Sequence, residues 1–289
     1  MSTTLTRPKS AGVVRRFTRH PLALIGFIAV TALCIAALFA PWIAPHDPLL
    51  LDTKARFFAP FARPGFLLGT DDLGRDTFSR LLYGGRISLT VGLVAMFTTV
   101  LTGALIGLAS GYLGGIIDTL LMRFVDTMLC FPQIFLLLVI AAFVPPSLIS
   151  IALIIGLTSW MEVARIVRAE ILHLKEQDFI AAARALGASA ARIMFRELLP
   201  NIVAPLLVAA TLRVASAVLA ESYISYLGYG VQPPLASWGN MLTNAQGYFD
   251  TVPWLAVLPG AMITITVMGF NFLGDGLRDA LDPRLRMDN

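Results

Sequence analysis

The chain has 289 residues, of which 57% are hydrophobic and only 14% are charged, and its net charge is +4. A soluble globular domain carries about 25% charged residues, so the composition excludes that class and indicates a protein with several membrane spans. The small net charge reflects charged loops rather than a nucleic-acid-binding surface, and we expect no nucleic-acid partner.

Six apolar runs are long enough to cross a bilayer as helices, which need about 20 residues each. Because lipid-exposed backbone groups must form their hydrogen bonds internally, each run is predicted to be helical. The sequence therefore predicts an all-α membrane protein with six transmembrane helices. In chain order, the predicted spans are 22–44, 87–112, 117–144, 148–167, 202–227 and 254–273.

The first span follows three arginines, as a signal peptide would, but its apolar run is too long for a signal peptide. We interpret it as an uncleaved transmembrane helix. The predicted segments are a cytoplasmic N-terminal tail (1–21), the first transmembrane helix (22–44), an extracytoplasmic loop (45–86), a five-helix transmembrane core (87–277) containing a polar loop (170–201), and a cytoplasmic C-terminal tail (278–289).

The distribution of Lys and Arg predicts the orientation of the chain. Basic residues are concentrated in the N-terminal tail and in the polar loop 170–201, whereas residues 228–253 contain none. This pattern places both termini and the polar loop in the cytoplasm. The loop 45–86 conflicts with the rule because it carries six basic residues beside five aspartates. Its length, and the agreement of the other loops, favour the extracytoplasmic side.

The polar island 178–201 predicts a short helix, a turn and a second helix. Gly187 interrupts the apolar periodicity, and Pro200 is expected to end it. The first apolar stripe comprises Phe179, Ala182, Ala183 and Leu186, and the second comprises Ala190, Ile193, Met194 and Leu198. An exposed helix with an alanine-rich face beside a membrane domain suits docking into the groove of a partner protein.

Small residues recur every four positions in and after the second span, and so share one helix face. They are Gly103, Gly107, Gly111 and Gly115. Small residues let helices approach closely in lipid, so these glycines predict a helix-packing face rather than a ligand site.

Ionisable residues lie within several spans, where a charge at the bilayer centre costs at least about 2.5 kcal/mol. Arg213 and Glu221 lie on roughly the same face of the fifth span, either lining a translocation path or forming a structural ion pair. For Arg123 with Asp126, the structural interpretation is favoured.

The sequence contains no motif that would make the chain an enzyme. It lacks a phosphate-binding loop, because none of its three lysines follows a glycine, and it lacks H-E-x-x-H and G-x-S-x-G. We therefore expect no bound nucleotide, no metal site and no catalytic residues. A passive pore is consistent with the composition, but it would not need the helix-turn-helix.

Several motifs resemble those of the second, C-type permease subunit of the dipeptide, oligopeptide and nickel ABC importers. The polar island is similar to the EAA loop of that family, with two alanines, a glycine and a distal Leu-Pro. The similar segments are 68–89, 111–126, Phe131 with Pro132, 178–201, 221–239 and 271–286.

The resemblance implies a type I ABC importer permease fold in a bacterial inner membrane, with the polar island as a cytoplasmic coupling helix. It implies a homologous sister permease, two ATP-binding subunits that hold ATP and Mg²⁺, and an extracytoplasmic substrate-binding protein. The residues implied in coupling are Phe179, Ala181, Ala182, Ala183, Leu186, Gly187, Leu199 and Pro200. Ala181 stands where the family usually has Glu, which is a departure from the family pattern.

The resemblance favours di- or oligopeptides as the cargo. A nickel or metal-chelate importer is the alternative within the family. An ATP-independent pore or secondary carrier is the alternative from a different class.

Overall fold

The computed structural model describes residues 11–281. The outermost parts of the two predicted tails, 1–10 and 282–289, lie outside the described residues. Within 11–281 the chain is built from α-helices joined by short turns and two longer irregular segments. These helices are α1 (Ala11–Arg19), α2 (Pro21–Leu38), α3 (Ala40–Ile43), α4 (Thr77–Leu113), α5 (Gly115–Leu129), α6 (Gln133–Phe143), α7 (Leu148–Leu157), α8 (Trp160–Leu174), α9 (Asp178–Ala185), α10 (Ala190–Arg192), α11 (Val203–Tyr226), α12 (Trp238–Ala245) and α13 (Trp254–Leu281).

Four helical stretches in the described part of the chain are long and apolar enough to cross a membrane: α2, α4, the stretch Ala190–Tyr226 that ends in α11, and α13. The total rises to six if each of two bent helix pairs counts as one span. The six-helix prediction therefore holds when the bent pairs are counted.

The predicted third span, 117–144, is not one straight helix. It consists of α5 and α6, which meet at an angle of 87°. Pro132 lies at the break, where its missing N–H removes a helical hydrogen bond and its ring disfavours helical geometry in Phe131. The Phe-Pro pair was visible in the sequence, but continuous hydrophobicity concealed its effect.

The predicted fourth span is also divided, because α7 and α8 meet at 44°. At this break the hydroxyls of Thr158 and Ser159 donate hydrogen bonds to the carbonyls of Ile154 and Ile155, at 2.7 and 2.6 Å. Such bonds from a side chain to the preceding turn compete with the helical ladder and bend helices.

Other boundaries also differ from the predictions, and α13 continues to Leu281, eight residues beyond the predicted end of the sixth span and into the predicted tail 278–289. Helix α4 begins at Thr77 rather than at residue 87, so ten residues assigned to the loop 45–86 are helical. Asp76 caps this helix, accepting a 2.9 Å hydrogen bond from the Ser79 backbone N–H. Within the predicted N-terminal tail, the structure has the short helix α1.

Helix α4 runs through the centre of the molecule and packs against α2, α7, α8 and α11. With 37 residues it is about 55 Å long, so its two ends mark the two ends of the bundle. The buried Trp238 of α12 lies at the start of α4 and donates its indole N–H to the Leu81 carbonyl at 3.0 Å. We call this the loop end, because residues 44–76 and 227–253 gather there.

The opposite end of the bundle, which we call the α9 end, holds the last turns of α4. There the guanidinium of Arg184 in α9 lies 5.5 Å from the ring centroid of Tyr112. The start of α2 and the end of α13 also meet, through His20 and Asp279 at 3.6 Å. Helix α13 packs along α2 and α11, so it runs from the loop end, at Trp254, to the α9 end, at Leu281.

Candidate functional site

Helix α9 is fixed to the bundle by one buried side chain. Ile180 has no exposed surface and packs in an apolar cluster with Leu108, Ile171, Ile193 and Leu198. Just before α9, the ammonium of Lys175 at the end of α8 donates to the Gly111 carbonyl of α4 at 3.2 Å. The short helix is therefore joined to α4 and α8 and should move with them.

The opposite face of α9 is exposed although it is apolar. Leu186 is 88% exposed and Phe179 is 40% exposed, and Ala181 and Ala182 are also on the surface. Ala183 is only half-exposed and packs against the buried cluster. The predicted stripe therefore splits between two faces. Phe179 and Ile180 are adjacent and both apolar, so the periodicity is compatible with either of them facing the bundle, and only tertiary packing decides between them.

The turn after α9 depends on Gly187, which has a φ of +76°. Residues with a side chain rarely adopt this left-handed conformation, and glycine does so without steric cost. The Gly187 N–H donates to the Arg184 carbonyl at 2.9 Å, and the Ala188 N–H donates to the Ala183 carbonyl at 3.1 Å. These bonds close α9 and reverse the chain.

Most of the second predicted stripe faces the bundle, whereas its first member, Ala190, is exposed. Ile193 and Leu198 are buried in the cluster that anchors Ile180. Pro200 does not end the helical pattern, because the chain continues through a π-helical turn (Ile193–Leu198) and a 3₁₀ turn (Leu199–Ile202) into α11. These turns accommodate the missing Pro N–H, leaving Leu199 half-buried and Pro200 exposed.

Three of the four predicted packing glycines lie against α8. A Cβ at Gly103 would be 2.9 Å from the Trp160 carbonyl oxygen, and one at Gly107 would be 2.5 Å from that of Ala164. At Gly111 a Cβ would meet the Ile171 side chain at 2.8 Å. The predicted role of Gly115 is wrong, because α4 ends at Leu113, and Gly115 begins α5 with open space around its Cβ position.

Several charged groups within the spans pair with a group on another helix. Arg213 of α11 bonds to Glu162 of α8, so the predicted neighbour Glu221 is not its partner. Arg165 of α8 bonds to Asp126 of α5, so Asp126 has a cross-helix partner instead of the predicted Arg123. Sequence spacing along one helix could not show these pairs.

Helices α5 and α8 are linked further by Asp118 and Arg168. The guanidinium of Arg168 binds both carboxylate oxygens of Asp118, at 2.6 and 2.7 Å. Such a bidentate pair fixes orientation as well as proximity. The two residues are 50 positions apart in the chain, so sequence spacing does not reveal this pair.

Glu221 is fully buried at the loop end of α11. Its two carboxylate oxygens accept hydrogen bonds from the hydroxyls of Ser88 in α4, at 2.8 Å, and Ser225, at 2.7 Å. The Ser225 oxygen also accepts the Val231 N–H at 3.0 Å. In this conformation Glu221 joins α4, α11 and the following segment, and its place on a translocation path stays a prediction.

The five arginines of the predicted loop 45–86 contact neighbouring carboxylates or aromatic rings. The Asp71 carboxylate lies 2.7 Å from Arg75 and 3.4 Å from Arg80, and all three residues are buried. Other arginines lie over aromatic rings: Arg56 over Phe57, Arg63 over Phe58 and Arg86 over Tyr83, at 5.3 to 5.8 Å. Because neighbouring groups compensate these positive charges, the loop can carry many basic residues despite the rule that Lys and Arg favour the cytoplasmic side.

Among residues 11–281, no group of three or more His, Cys, Asp or Glu side chains is placed to hold a metal ion. The bundle has membrane-length helices, charged groups paired inside it, and one short helix exposed at its end. These features define the class of membrane translocation subunits.

Comparison with known proteins identifies the family within that class. Residues 103–287 match the family described as "Binding-protein-dependent transport system inner membrane component". Residues 11–64 match the "N-terminal TM domain of oligopeptide transport permease C". The chain therefore belongs to the binding-protein-dependent ABC transport permeases, and its bundle is the type I permease fold of that family.

Curated relatives cover almost the whole chain. The dipeptide transport system permease protein DppC of Haemophilus influenzae is 38% identical over 93% of each chain. The di/tripeptide transport system permease protein DppC of Pseudomonas aeruginosa is 41% identical, over 93% of this chain and 90% of its own. The oligopeptide transport system permease protein OppC of Bacillus subtilis is 38% identical, over 94% and 88%.

Proposed function

We propose that this chain imports di- or oligopeptides as one of two homologous permease subunits of an ATP-driven transporter. The sister permease completes the membrane pore, two ATP-binding subunits hydrolyse ATP with Mg²⁺, and an extracytoplasmic binding protein delivers the cargo. Support for the cargo comes from relatives along the full chain whose names specify dipeptide, di/tripeptide or oligopeptide transport.

The observation that carries the coupling role is the apolar face of α9. Leu186 is 88% exposed at the tip of a helix whose other face is buried through Ile180. An apolar side chain held on a rigid support suits a partner's groove, where a few buried anchors supply most of the binding energy. The proposed partner is the ATP-binding subunit, and the proposed docking residues are Phe179, Ala181, Ala182, Leu186 and Gly187.

This proposal places the α9 end of the bundle in the cytoplasm of a bacterial cell, below its inner membrane. The end of α2 packs at the start of α4, with Ala37 beside Gly85, so the start of α2 lies at the α9 end, and His20 meets Asp279 of α13 there. Both termini would then be cytoplasmic, and residues 44–76 and 227–253 would face outward. The α9 end also carries Arg184, Arg192 and Arg196, as expected for cytoplasmic segments.

The proposed mechanism moves α9 and its attached helices as one body. ATP binding favours the closed arrangement of the two ATP-binding subunits, which draws the α9 helices of the two permeases together. Each α9 is joined to α8 on one side and, through the turns 190–202, to α11 on the other. Displacement of α9 therefore reorients α8 and α11 and switches the bundle between inward-facing and outward-facing packings.

The test is to replace Leu186 by Asp in the assembled transporter. A charge in a desolvated groove should weaken docking by about 2 kcal/mol or more, so the ATP-binding subunits should no longer co-purify with the two permeases. Phe61→Asp is the matched control, because Phe61 is 78% exposed but lies at the loop end. If both variants retain the ATP-binding subunits equally, the assignment of α9 is refuted.

A further inference from the structure

A polar cavity lies where the two bent spans are both interrupted. It has a volume of about 230 Å³ and is lined by Phe131 and Pro132 from the first break and by Thr158 and Ser159 from the second. Gln133 crosses between the breaks and donates to the Ser159 hydroxyl at 2.7 Å. Interrupted helices place polar backbone and side-chain groups within a membrane domain, the arrangement that transporters use for substrate sites.

The ion pair of Arg213 with Glu162 forms one wall of this cavity. Arg213 lies near the middle of the 24-residue helix α11, about 15 Å along the axis from its start and about 20 Å from its end. A hydrocarbon core is about 30 Å thick, so the pair lies close to the centre of the span. The helix ends near the pair are those of the two breaks that form the cavity, because Glu162 lies in the first turn of α8.

The pair is not enclosed by the chain itself. The Glu162 side chain is 61% exposed and that of Arg213 is 18% exposed. Charges at this depth are not stable against lipid, so the open side of the cavity must face water or another protein subunit. In a pore formed between two permeases, the interior of the pore would supply that water.

We propose that this cavity is a substrate site that recognises the two charged ends of a short peptide. The guanidinium of Arg213 would bind the terminal carboxylate, and the carboxylate of Glu162 would bind the terminal ammonium. Gln133 and Ser159 would bond to the peptide group between them. This inference rests on the proposed peptide cargo and assigns a place in the chain where that cargo is held.

Arg213 and Glu162 can exchange each other for the two charged ends of the peptide, and this explains why a pair of opposite charges suits the cargo. A peptide with free termini carries one positive and one negative charge, so both wall residues can leave each other for the peptide without stranding a charge in the membrane. After release the pair re-forms, and the empty pore again contains no uncompensated charge. A cargo with a single charge would leave either Arg213 or Glu162 unpaired.

Photolabelling of the purified transporter tests this site without the selectivity of the binding protein. The probe is a radiolabelled dipeptide with a diazirine side chain and free termini, applied at millimolar concentration to the complex of permeases and ATP-binding subunits. We expect Glu162→Gln and Arg213→Gln each to reduce labelling of this chain about tenfold, the effect of losing one charge-assisted hydrogen bond. Dialanine should compete with the probe, and N-acetyl-dialanine amide should not.

Asp126→Asn is the matched control, because it breaks the other exposed cross-helix pair, with Arg165, away from the cavity lining. Labelling should be unchanged in this variant. Thermal unfolding verifies that each variant is folded, and Glu162→Gln, at an exposed position, serves if Arg213→Gln is unstable. Undiminished labelling of the folded cavity variants, absence of labelling in the wild type, or equal competition by the blocked dipeptide would overturn the proposal.

A parallel uptake assay separates this inference from the function on which it rests. The wild-type transporter, with its binding protein and ATP in liposomes, should accumulate dialanine. If it does not, the peptide cargo is wrong and the site fails with it. If dialanine is imported but labelling does not depend on Glu162 and Arg213, only the site is wrong.

Discussion

The close approach of α4 and α8 predicts a specific cost for adding one methyl group at Gly107. An ideal Cβ there would lie 2.5 Å from the Ala164 carbonyl oxygen and 2.7 Å from the Val167 Cβ. The first obstacle is backbone, which cannot rotate away, so the two helices must separate or shift. Overpacking of this kind typically costs about 1–3 kcal/mol.

Gly260→Ala is the matched control for Gly107→Ala. Both glycines lie within helices, so the gain in helix propensity, up to about 1 kcal/mol, is common to the two variants. A Cβ at Gly260 would have no neighbour within 4 Å. The difference between the variants therefore isolates the packing cost, and Gly107→Ala should be about 1–3 kcal/mol less stable than Gly260→Ala.

The assay is the free energy of unfolding of the purified chain in mixed detergent micelles, measured from the loss of helical circular dichroism. The wild type and both variants are unfolded under identical conditions. Equal stability of the two variants would refute the reasoning, because it would show that α4 and α8 do not meet at Gly107 as closely as the structure indicates.

Three further predictions concern the turn, the buried carboxylate and the loop end. Gly187→Val should destabilise the turn by about 1–2 kcal/mol, because valine is strained at a positive φ, and it should lower ATP-driven uptake. Gly187→Asn should retain uptake, because asparagine tolerates this conformation. Equal uptake by the two variants would contradict the turn geometry. Glu221→Ala should lower the thermal stability of the transporter more than Glu221→Gln does, because glutamine keeps one acceptor for the serine hydroxyls. A lower melting temperature for Glu221→Gln than for Glu221→Ala would be inconsistent with these hydrogen bonds. Asp71→Ala should destabilise the protein by about 3 kcal/mol, because it removes the carboxylate closest to the buried Arg75 and Arg80 and leaves Arg75 only the more distant Asp72, at 3.7 Å; unchanged membrane abundance and melting temperature would exclude this.

Hydrophobic runs were sufficient to locate the membrane helices, because a bilayer demands long apolar segments. The prediction of 202–227 agrees closely with α11, which extends from Val203 to Tyr226. Breaks within apolar runs were harder to predict, since Pro132 and the hydroxyls at 158 and 159 change backbone direction without changing hydropathy. The polar cavity at these breaks was therefore not visible from composition.

Pairing between helices depends on distances that a sequence does not contain. Arg213 was recognised as a costly charge, but its partner Glu162 is 51 positions earlier in the chain. The position of Ile180 shows the same limit at the α9 helix. Two adjacent apolar residues allow two amphipathic faces, and only the packing of Ile180 against α4 and α8 decides that Phe179 and Leu186 are the exposed ones.

The most direct test of the central claim is a cross-link from the tip of α9. Cys34 and Cys130 are first replaced by serine, and Leu186→Cys is then introduced into the assembled transporter. A thiol-reactive photo-cross-linker should join this position to an ATP-binding subunit, whereas Phe61→Cys at the loop end should give no such product. Cross-linking of the ATP-binding subunit from Phe61→Cys, and not from Leu186→Cys, would contradict the account.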